Sequence, residues 1–497
     1  MSENPTPEEA ATGSREPLAP AAAAALVFLA SGAVLVLEIL GVRLLAPYVG
    51  LTLETTTSII GAVLAGIATG AAIGGYIADR VAPRRLLTVL FVGGGLLALA
   101  TVPIVRALGP DARGGGDEAA FGITLLSLLP PAAVLSAVTP VVVRLQLRDL
   151  GASGTVVGRL SAWATGGALA GVFGTGFVLV PLLPVSGSVL LVGLSLVLTG
   201  IVLGLRARTR TPRGALLLAL GAVGLGLVPF VADSPCESET IYHCARVVKD
   251  PKRAAGRTLV LDDLQHSYVD LRDPRHIDFD YARWIADAVD GLAPAGQPLD
   301  AVFVGGGGFT LPRWLAATRP GSRSRVLELD AKLVALVRDR LGLQTGPALR
   351  VTLGDARLTL ASQRASSADL VVGDAFGGRS VPWHLATTEW FAEVRRVLRP
   401  GGLYALNLID LPPLGLVRAE AATLLATFAD VRLVRQPPGA PGSNYVLLAS
   451  ERPLPAAVGS SARGARTLPR SEVATYARGA QVLTDDDAPA DQLLTTP

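Results

Sequence analysis

Residues 300–308 read DAVFVGGGG and residues 325–330 read RVLELD; together these two stretches decide the fold of the second half of the chain. The first is an apolar run that breaks into glycines, the pattern of a strand buried on both faces. Gly305, Gly306, Gly307 and Gly308 allow positive φ at its end and let a ligand approach the backbone closely. A glycine run after a strand is a weak sign by itself. The second stretch, about 20 residues further on, ends in Glu328, where a carboxylate can accept from ribose hydroxyls. The two features at this separation point to a nucleotide crevice at the strand ends.

Further apolar runs extend the pattern: LRVTL (349–353), DLVVG (369–373), GLYALNL (402–408), DVRLV (430–434) and NYVLLA (444–449). Helical segments such as 331–340 and 388–398 separate the first of them. Such alternation predicts a Rossmann-like α/β domain whose parallel sheet is covered on both faces. Residues 241–248 and 257–271 look like strands of a small β-region before it. The third strand of the domain ends in Gly354-Asp355-Ala356, a place to contact an adenine edge. The fourth ends in Gly373-Asp374-Ala375-Phe376. An aspartate at the carboxyl end of a central strand can act as a general base once burial tunes it; a turn-forming aspartate is the other reading of Asp374.

The first half is built differently. The chain has 497 residues, half of them hydrophobic and only 17% charged, against about 25% charged in a soluble domain. The charges are sparse before about residue 230, and the mean hydropathy is +0.47. A net charge of +3 implies no nucleic-acid partner. Seven stretches are long and apolar enough to cross a bilayer: 21–45, 57–78, 86–108, 119–143, 162–183, 185–205 and 214–232. The expected organisation is a disordered tail at 1–20, an all-α transmembrane bundle at 21–232, the small β-region at 233–290 and the Rossmann-like domain at 291–497. A multi-pass protein of a bacterial inner membrane follows, with the lipid bilayer as its surroundings.

Gly66, Gly70 and Gly74 recur at helical spacing and mark a helix-packing face. Glu38 and Arg43 lie inside the first stretch, either as an ion pair or as a functional site. Basic residues cluster after the second stretch (Arg80, Arg84, Arg85), the fourth (Arg144, Arg148, Arg159) and the sixth (Arg206, Arg208, Arg210, Arg213). Those loops belong in the cytoplasm. With seven crossings the second half then lies outside; with one crossing fewer it lies inside. The only cysteines, Cys236 and Cys244, either form a disulfide, as an exported segment would allow, or stay free and buried. With His243 they are too few ligands for a metal site.

Read in order, TLVLDDLQHSYVDL, FVGGGGF, VLELD, LGDARLTL, VVGDAF and LRPGGLYALNL resemble the polyamine aminopropyltransferase family, the spermidine synthases. The resemblance covers about residues 240–410 and is greatest to the bacterial form with a multi-span membrane segment fused ahead of the synthase domain. It implies aminopropyl transfer from decarboxylated S-adenosylmethionine, a co-substrate and not a resident cofactor, to a putrescine-like amine. The glycine loop Gly305–Gly308, Glu328 (ribose), Asp355 and Ala356 (adenine) and His266, near the family's donor-contacting glutamine, would hold the donor. Asp374 would be the catalytic base and Tyr281 would line the acceptor site. The resemblance also leaves room for a homodimer through the soluble domain.

The chain departs from the family at three places. Gly308 stands where the family has an aspartate that holds the aminopropyl group, Ala282 where a polar residue is usual, and Gly377 where a second aspartate follows the base. Asp485, Asp486 and Asp487 either compensate or form a solvated acidic turn. Two other functions stay open: an S-adenosylmethionine methyltransferase on the same fold, and a non-catalytic transporter that senses a polyamine or nucleoside.

Overall fold

The computed structural model describes residues 18–50, 53–112, 116–147, 153–207, 220–228, 234–377, 381–437, 443–459 and 464–494. Two compact units divide it, Met1–Cys244 and Ala245–Pro497.

Unit one is a helical bundle: α1 (Pro20–Val49), α2 (Leu53–Ala78), α3 (Pro83–Ala112), α4 (Gly116–Ser136), α5 (Val138–Gln146), α6 (Ser153–Gly174, prolonged by further helical turns to Leu182) and α7 (Val185–Arg206). Among the described residues, six helical spans are long and apolar enough to cross a membrane, α4 and α5 counting as one. Of the seventh stretch, 214–232, residues 220–228 are described and helical; its remainder, the tail up to residue 17, Arg148, Arg208, Arg210 and Arg213 lie outside the described residues. Large side chains such as Leu64, Ile73, Phe173, Phe177 and Leu182 stand exposed on the bundle. Apolar area in water costs about 25 cal/mol per Å², so this surface suits hydrocarbon.

Helices in lipid gain little from apolar burial and pack instead by close backbone approach. The glycine stripe of α2 supplies this: a Cβ on Gly70 would lie 2.0 Å from the Ala133 carbonyl oxygen, and one on Gly74 2.6 Å from the Ala137 Cβ. Gly32 of α1 meets Gly167 of α6 in the same way. The packing role read from Gly66, Gly70 and Gly74 therefore holds.

The two ends of the bundle are distinct. At one, the Gln146 side-chain amide donates to the Leu18 carbonyl at 2.8 Å, and Arg144 pairs with Asp79 at 3.2 Å. At the other, Gly109 of α3 abuts the Tyr48 ring of α1. The Arg43 guanidinium donates to the carbonyls of Thr240 and Ile241, so this arginine, read as half of an ion pair or as part of a functional site, ties down residues almost 200 positions later. The Val185 amide at the start of α7 donates to the Glu239 carboxylate at 2.5 Å. Cys236 and Cys244 are joined in a disulfide, which decides between the two readings of these residues.

Residues 238–270 form a small sheet of order β1–β2–β3–β4 (Ser238–Glu239, Cys244–Lys249, Gly256–Leu261, Leu264–Asp270), of which β1 and Cys244 fall in unit one and the rest in unit two. Helix α8 (Asp280–Leu292) leads to the main sheet: β5 (Asp300–Val304), β6 (Arg323–Glu328), β7 (Leu349–Leu353), β8 (Ala368–Gly373), β9 (Leu398–Ile409), β10 (Asp430–Arg435), β11 (Asn444–Ser450) and β12 (Arg466–Leu468). Its order is β12–β10–β11–β9–β8–β5–β6–β7. Strands β5 to β9 pair in parallel; β11, β10 and β12 add an antiparallel edge. Val302, Val304 and Val371 pack under one face, Phe303, Leu370 and Val372 under the other, which is why these strands read as continuous apolar runs. Helices α9 (Thr310–Thr318) and α10 (Ala331–Leu341) cover the second face with α8; α12 (Thr388–Val397) and α13 (Gly415–Thr427) cover the first. The order runs outward from β5 to β7, then returns to β8 on the other side of β5. That reversal opens a crevice at the carboxyl ends of β5 and β8.

Candidate functional site

The crevice starts from backbone geometry. Gly305 leaves β5 at φ 91°, and a Cβ there would lie 2.4 Å from the Asp374 carbonyl oxygen. Only glycine lets the loop run this close to the end of β8. The Asp374 amide donates to the Val304 carbonyl at 2.9 Å, and the Gly305 amide to Leu327 at 2.9 Å. The ends of β5, β6 and β8 are thus tied together, and Glu328 and Asp374 flank the glycine loop.

Glu328 is buried at the end of β6. One of its oxygens accepts the Gly306 amide at 2.8 Å and the other the Asp330 amide at 2.9 Å. Burial pushes its carboxyl up, with the Asp330 and Gly306 amides pulling against it. A carboxylate has about four lone-pair sites, so these amides hold it in place and leave acceptor capacity free. Asp330, two residues on, caps α10 through the amides of Lys332 and Leu333.

Asp374 sits in a chain of side chains. Tyr281, in the first turn of α8, donates its hydroxyl to one carboxylate oxygen at 3.1 Å, and the Asn407 amide of β9 donates to the other at 2.9 Å. Asn407 is itself oriented by Asn444 of β11, which donates to its carbonyl at 3.1 Å. Burial lifts the Asp374 carboxyl to about 6, against the opposing pull of Asn407 and Tyr281. Burial and the neighbouring Asp374 drive the Tyr281 phenol well above its usual value. A carboxylate that titrates near neutrality, held on both oxygens, is equipped to take a proton from a substrate.

The cleft against Asp374 is lined by Ser267, Tyr268, Tyr281, Thr310, Gly305 and Gly306 on its polar side and by Ile277, Phe279, Phe303, Leu311, Pro312 and Val372 on its apolar side. Among the described residues, Asp374 is the one carboxylate in this lining. Ser267 of β4, not His266, faces the loop: its hydroxyl accepts the Gly308 amide at 2.9 Å. His266 offers its carbonyl to the Tyr281 hydroxyl at 3.5 Å. A Cβ on Gly308 would lie 2.9 Å from the Ser267 Cβ and 3.1 Å from Val269, so a side chain at 308 collides with β4. A Cβ on Gly377 would meet only Pro382, at 4.0 Å. Ala282 is buried and lines the same cleft next to Tyr281.

Asp355 ends β7 and caps α11 (Ala356–Ala361), accepting the Arg357 amide at 2.7 Å. Its other oxygen lies 3.1 Å from His384 Nε2. Ala356 is the first residue of that helix. Asp485 is held by Arg357 and by the Thr387 hydroxyl at 2.7 Å, and Thr484 bridges to Asp487. Arg357 thus pairs with Asp485 of this C-terminal acidic turn, and none of Asp485, Asp486 and Asp487 is among the described residues that line the cleft.

Asn407, Asn444 and Ser267 were not singled out from the sequence. Asn407 carried a signal, as a lone amide in the apolar run GLYALNL that is now 2% exposed. Buried amides need partners, and here one partner is the aspartate.

No protein-family model matches the chain. A polyamine aminopropyltransferase of Vibrio vulnificus is 29% identical over 165 residues, 33% of this chain and 53% of that protein. An eEF1A lysine and N-terminal methyltransferase of Danio rerio is 30% identical over 130 residues, 24% of this chain and 19% of that protein. Among solved structures, a probable spermidine synthase from Corynebacterium glutamicum is 27% identical with a TM-score of 0.46, covering 52% of this chain and 98% of its own. The chain thus spans about half the length of the first curated relative and less of the second. In sequence, the C-terminal half of the chain is similar to polyamine aminopropyltransferases over part of their length.

Proposed function

We propose that the α/β unit transfers an aminopropyl group from decarboxylated S-adenosylmethionine to a primary amine, and that the helical bundle anchors it in a membrane. The observation that carries this reading is the Asp374 carboxylate, lifted to about 6 between Tyr281 and Asn407 beside the glycine loop. Gly305–Gly308 and Glu328 would hold the nucleoside, with Glu328 accepting from the ribose hydroxyls, and Asp355 and Ala356 would meet the adenine. The amine lone pair forms a bond to the carbon next to the sulfonium. The carbon–sulfur bond breaks with its electrons going to sulfur, methylthioadenosine leaves as a neutral thioether, and the proton shed by nitrogen passes to Asp374. Positioning and a neutral amine are most of what this substitution needs.

The acceptor we infer carries an apolar segment beside its reacting amine, since Ile277, Phe279, Phe303, Leu311, Pro312 and Val372 line the cleft that Asp374 faces. Release of methylthioadenosine by purified full-length protein, given the donor and a panel of mono- and diamines, tests the proposal; no turnover with any amine would sink it.

The absence of room for an acid at residue 308 supports a second reading, methyl transfer from S-adenosylmethionine. Preferential binding of S-adenosylmethionine over its decarboxylated form would select it.

A further inference from the structure

We infer that the α/β unit lies on the non-cytoplasmic side of the membrane, so that its crevice draws its substrates from outside the cell's interior. The inference is independent of which reaction the crevice performs.

The bundle has two ends, and the contacts within unit one sort the chain between them. Arg80, Arg84 and Arg85 follow α2, Arg144 closes α5, Arg159 opens α6 and Arg206 closes α7. Contacts gather several of these at one end: Arg144 pairs with Asp79 beyond α2, and Gln146 reaches Leu18 before α1. This is the cytoplasmic end, because basic residues are retained there during insertion. Arg43 and Arg106 stand nearer the other end, so the bias is a majority and not a rule without exception.

The opposite end holds Tyr48 against Gly109 and the start of α7 at Val185. Residues 236–244 are fixed to this same end by Arg43, which donates to the carbonyls of Thr240 and Ile241, and by Glu239, which accepts the Val185 amide; the disulfide closes the loop on itself. Helix α7 has 22 residues, or about 33 Å at 1.5 Å per residue, which is a full hydrocarbon thickness. The chain leaves α7 at Arg206 on the basic side and is next fixed at Val185's level on the other side. It has therefore crossed once more, and residues 220–228 within that interval are helical. Ala245 follows the disulfide directly, so the chain enters its second unit on the non-cytoplasmic side.

The disulfide agrees on separate grounds, since such bonds persist in exported segments and are rare where glutathione keeps thiols reduced. A consequence follows for the reaction sequence. Any adenosyl sulfonium made in the cytoplasm has to be carried across the membrane before this crevice can use it, so a nucleoside-export step must precede the domain's chemistry.

The test uses the full chain in bacterial cells. Alkaline phosphatase fused at the C-terminus is expected to be active, and green fluorescent protein at the same site dark; the reverse pattern overturns the inference. A membrane-impermeant maleimide applied to intact cells is expected to label Leu183→Cys and to spare Val81→Cys; labelling of Val81→Cys with Leu183→Cys spared overturns it. On unaltered protein denatured without reductant, a polyethylene-glycol maleimide should give no gel shift, and two additions after reduction. Free thiols without reduction would count against it. None of these readouts depends on turnover, so a failed activity assay leaves the inference standing and a failed topology assay leaves the chemistry standing.

Discussion

The side-chain amide of Asn407 stands 2.9 Å from one oxygen of Asp374 and donates to it. It is one of two donors that favour the ionised carboxylate while burial disfavours it, and the balance falls at about 6. A base must be ionised to accept a proton, so kcat/KM should fall as the pH drops through about 6, two units above an ordinary aspartate. Replacing Asn407 by Leu, or Tyr281 by Phe, removes a donor and should move that acid limb upward. Hydrogen bonds to charged groups are worth about 1.5–3 kcal/mol, or one to two pH units. A pH–rate profile reads this directly; an unmoved limb in both variants would show that Asp374 is not the base.

Asp374→Asn should abolish transfer by about 10²–10⁴-fold, the usual contribution of a general base. The same change should stabilise the fold at neutral pH. The folded-state carboxyl titrates above its unfolded value, so ionising it costs stability as the pH rises from about 4 through about 6. The gain should be about 1–2 kcal/mol at pH 7, allowing for part exposure to the cleft. It should vanish at pH 4, which thermal melts at the two pH values would reveal.

Gly308→Asp should not give the crevice a second carboxylate. Its Cβ meets Ser267 at 2.9 Å, so the expected result is a loss of about 1–3 kcal/mol from overpacking, with no gain in diamine use. Adding Ser267→Gly should recover part of that loss. Gly377→Asp has open space and should leave the melting temperature nearly unchanged.

Glu328→Gln keeps the shape of the side chain but loses one acceptor oxygen and the charge. Binding of methylthioadenosine by calorimetry should weaken by at least about tenfold, the worth of one charge-assisted hydrogen bond. An unchanged affinity would remove Glu328 from the nucleoside site.

Gly70→Val should break the α2–α4 contact, since any Cβ there lies 2.0 Å from a backbone oxygen that cannot swing aside. Melting of the full-length protein in detergent should drop by several degrees, while Gly61→Val, with nothing within 4 Å, should cost far less.

Much of this was legible in the chain itself. Buried parallel strands must be apolar throughout, so DAVFV and DLVVG announced the sheet, and a helix in lipid must satisfy its own amides, so seven apolar stretches stood out, of which six are spans of sufficient length among the described residues. Glu328 and Asp374 could be found because strand ends and loops keep them in a fixed local order. The register of β4 was not legible: a period of two decides whether His266 or Ser267 faces the glycine loop, and nothing local distinguishes the two. Asn407 was hidden because its partner lies 33 positions away on a neighbouring strand.

The sequence by itself determined the two halves, the alternation of strands and helices after residue 300, and the glycine loop with its acid, because each follows from periodicity or spacing within a few tens of residues. Packing alone decided which residues hold Asp374, why a side chain at residue 308 is crowded out, and that Arg43 and Val185 clamp the cysteine loop to the end of the bundle away from most of its arginines. Those contacts join positions from 33 to almost 200 residues apart, a distance over which chain order carries no geometry until the helices and strands have packed.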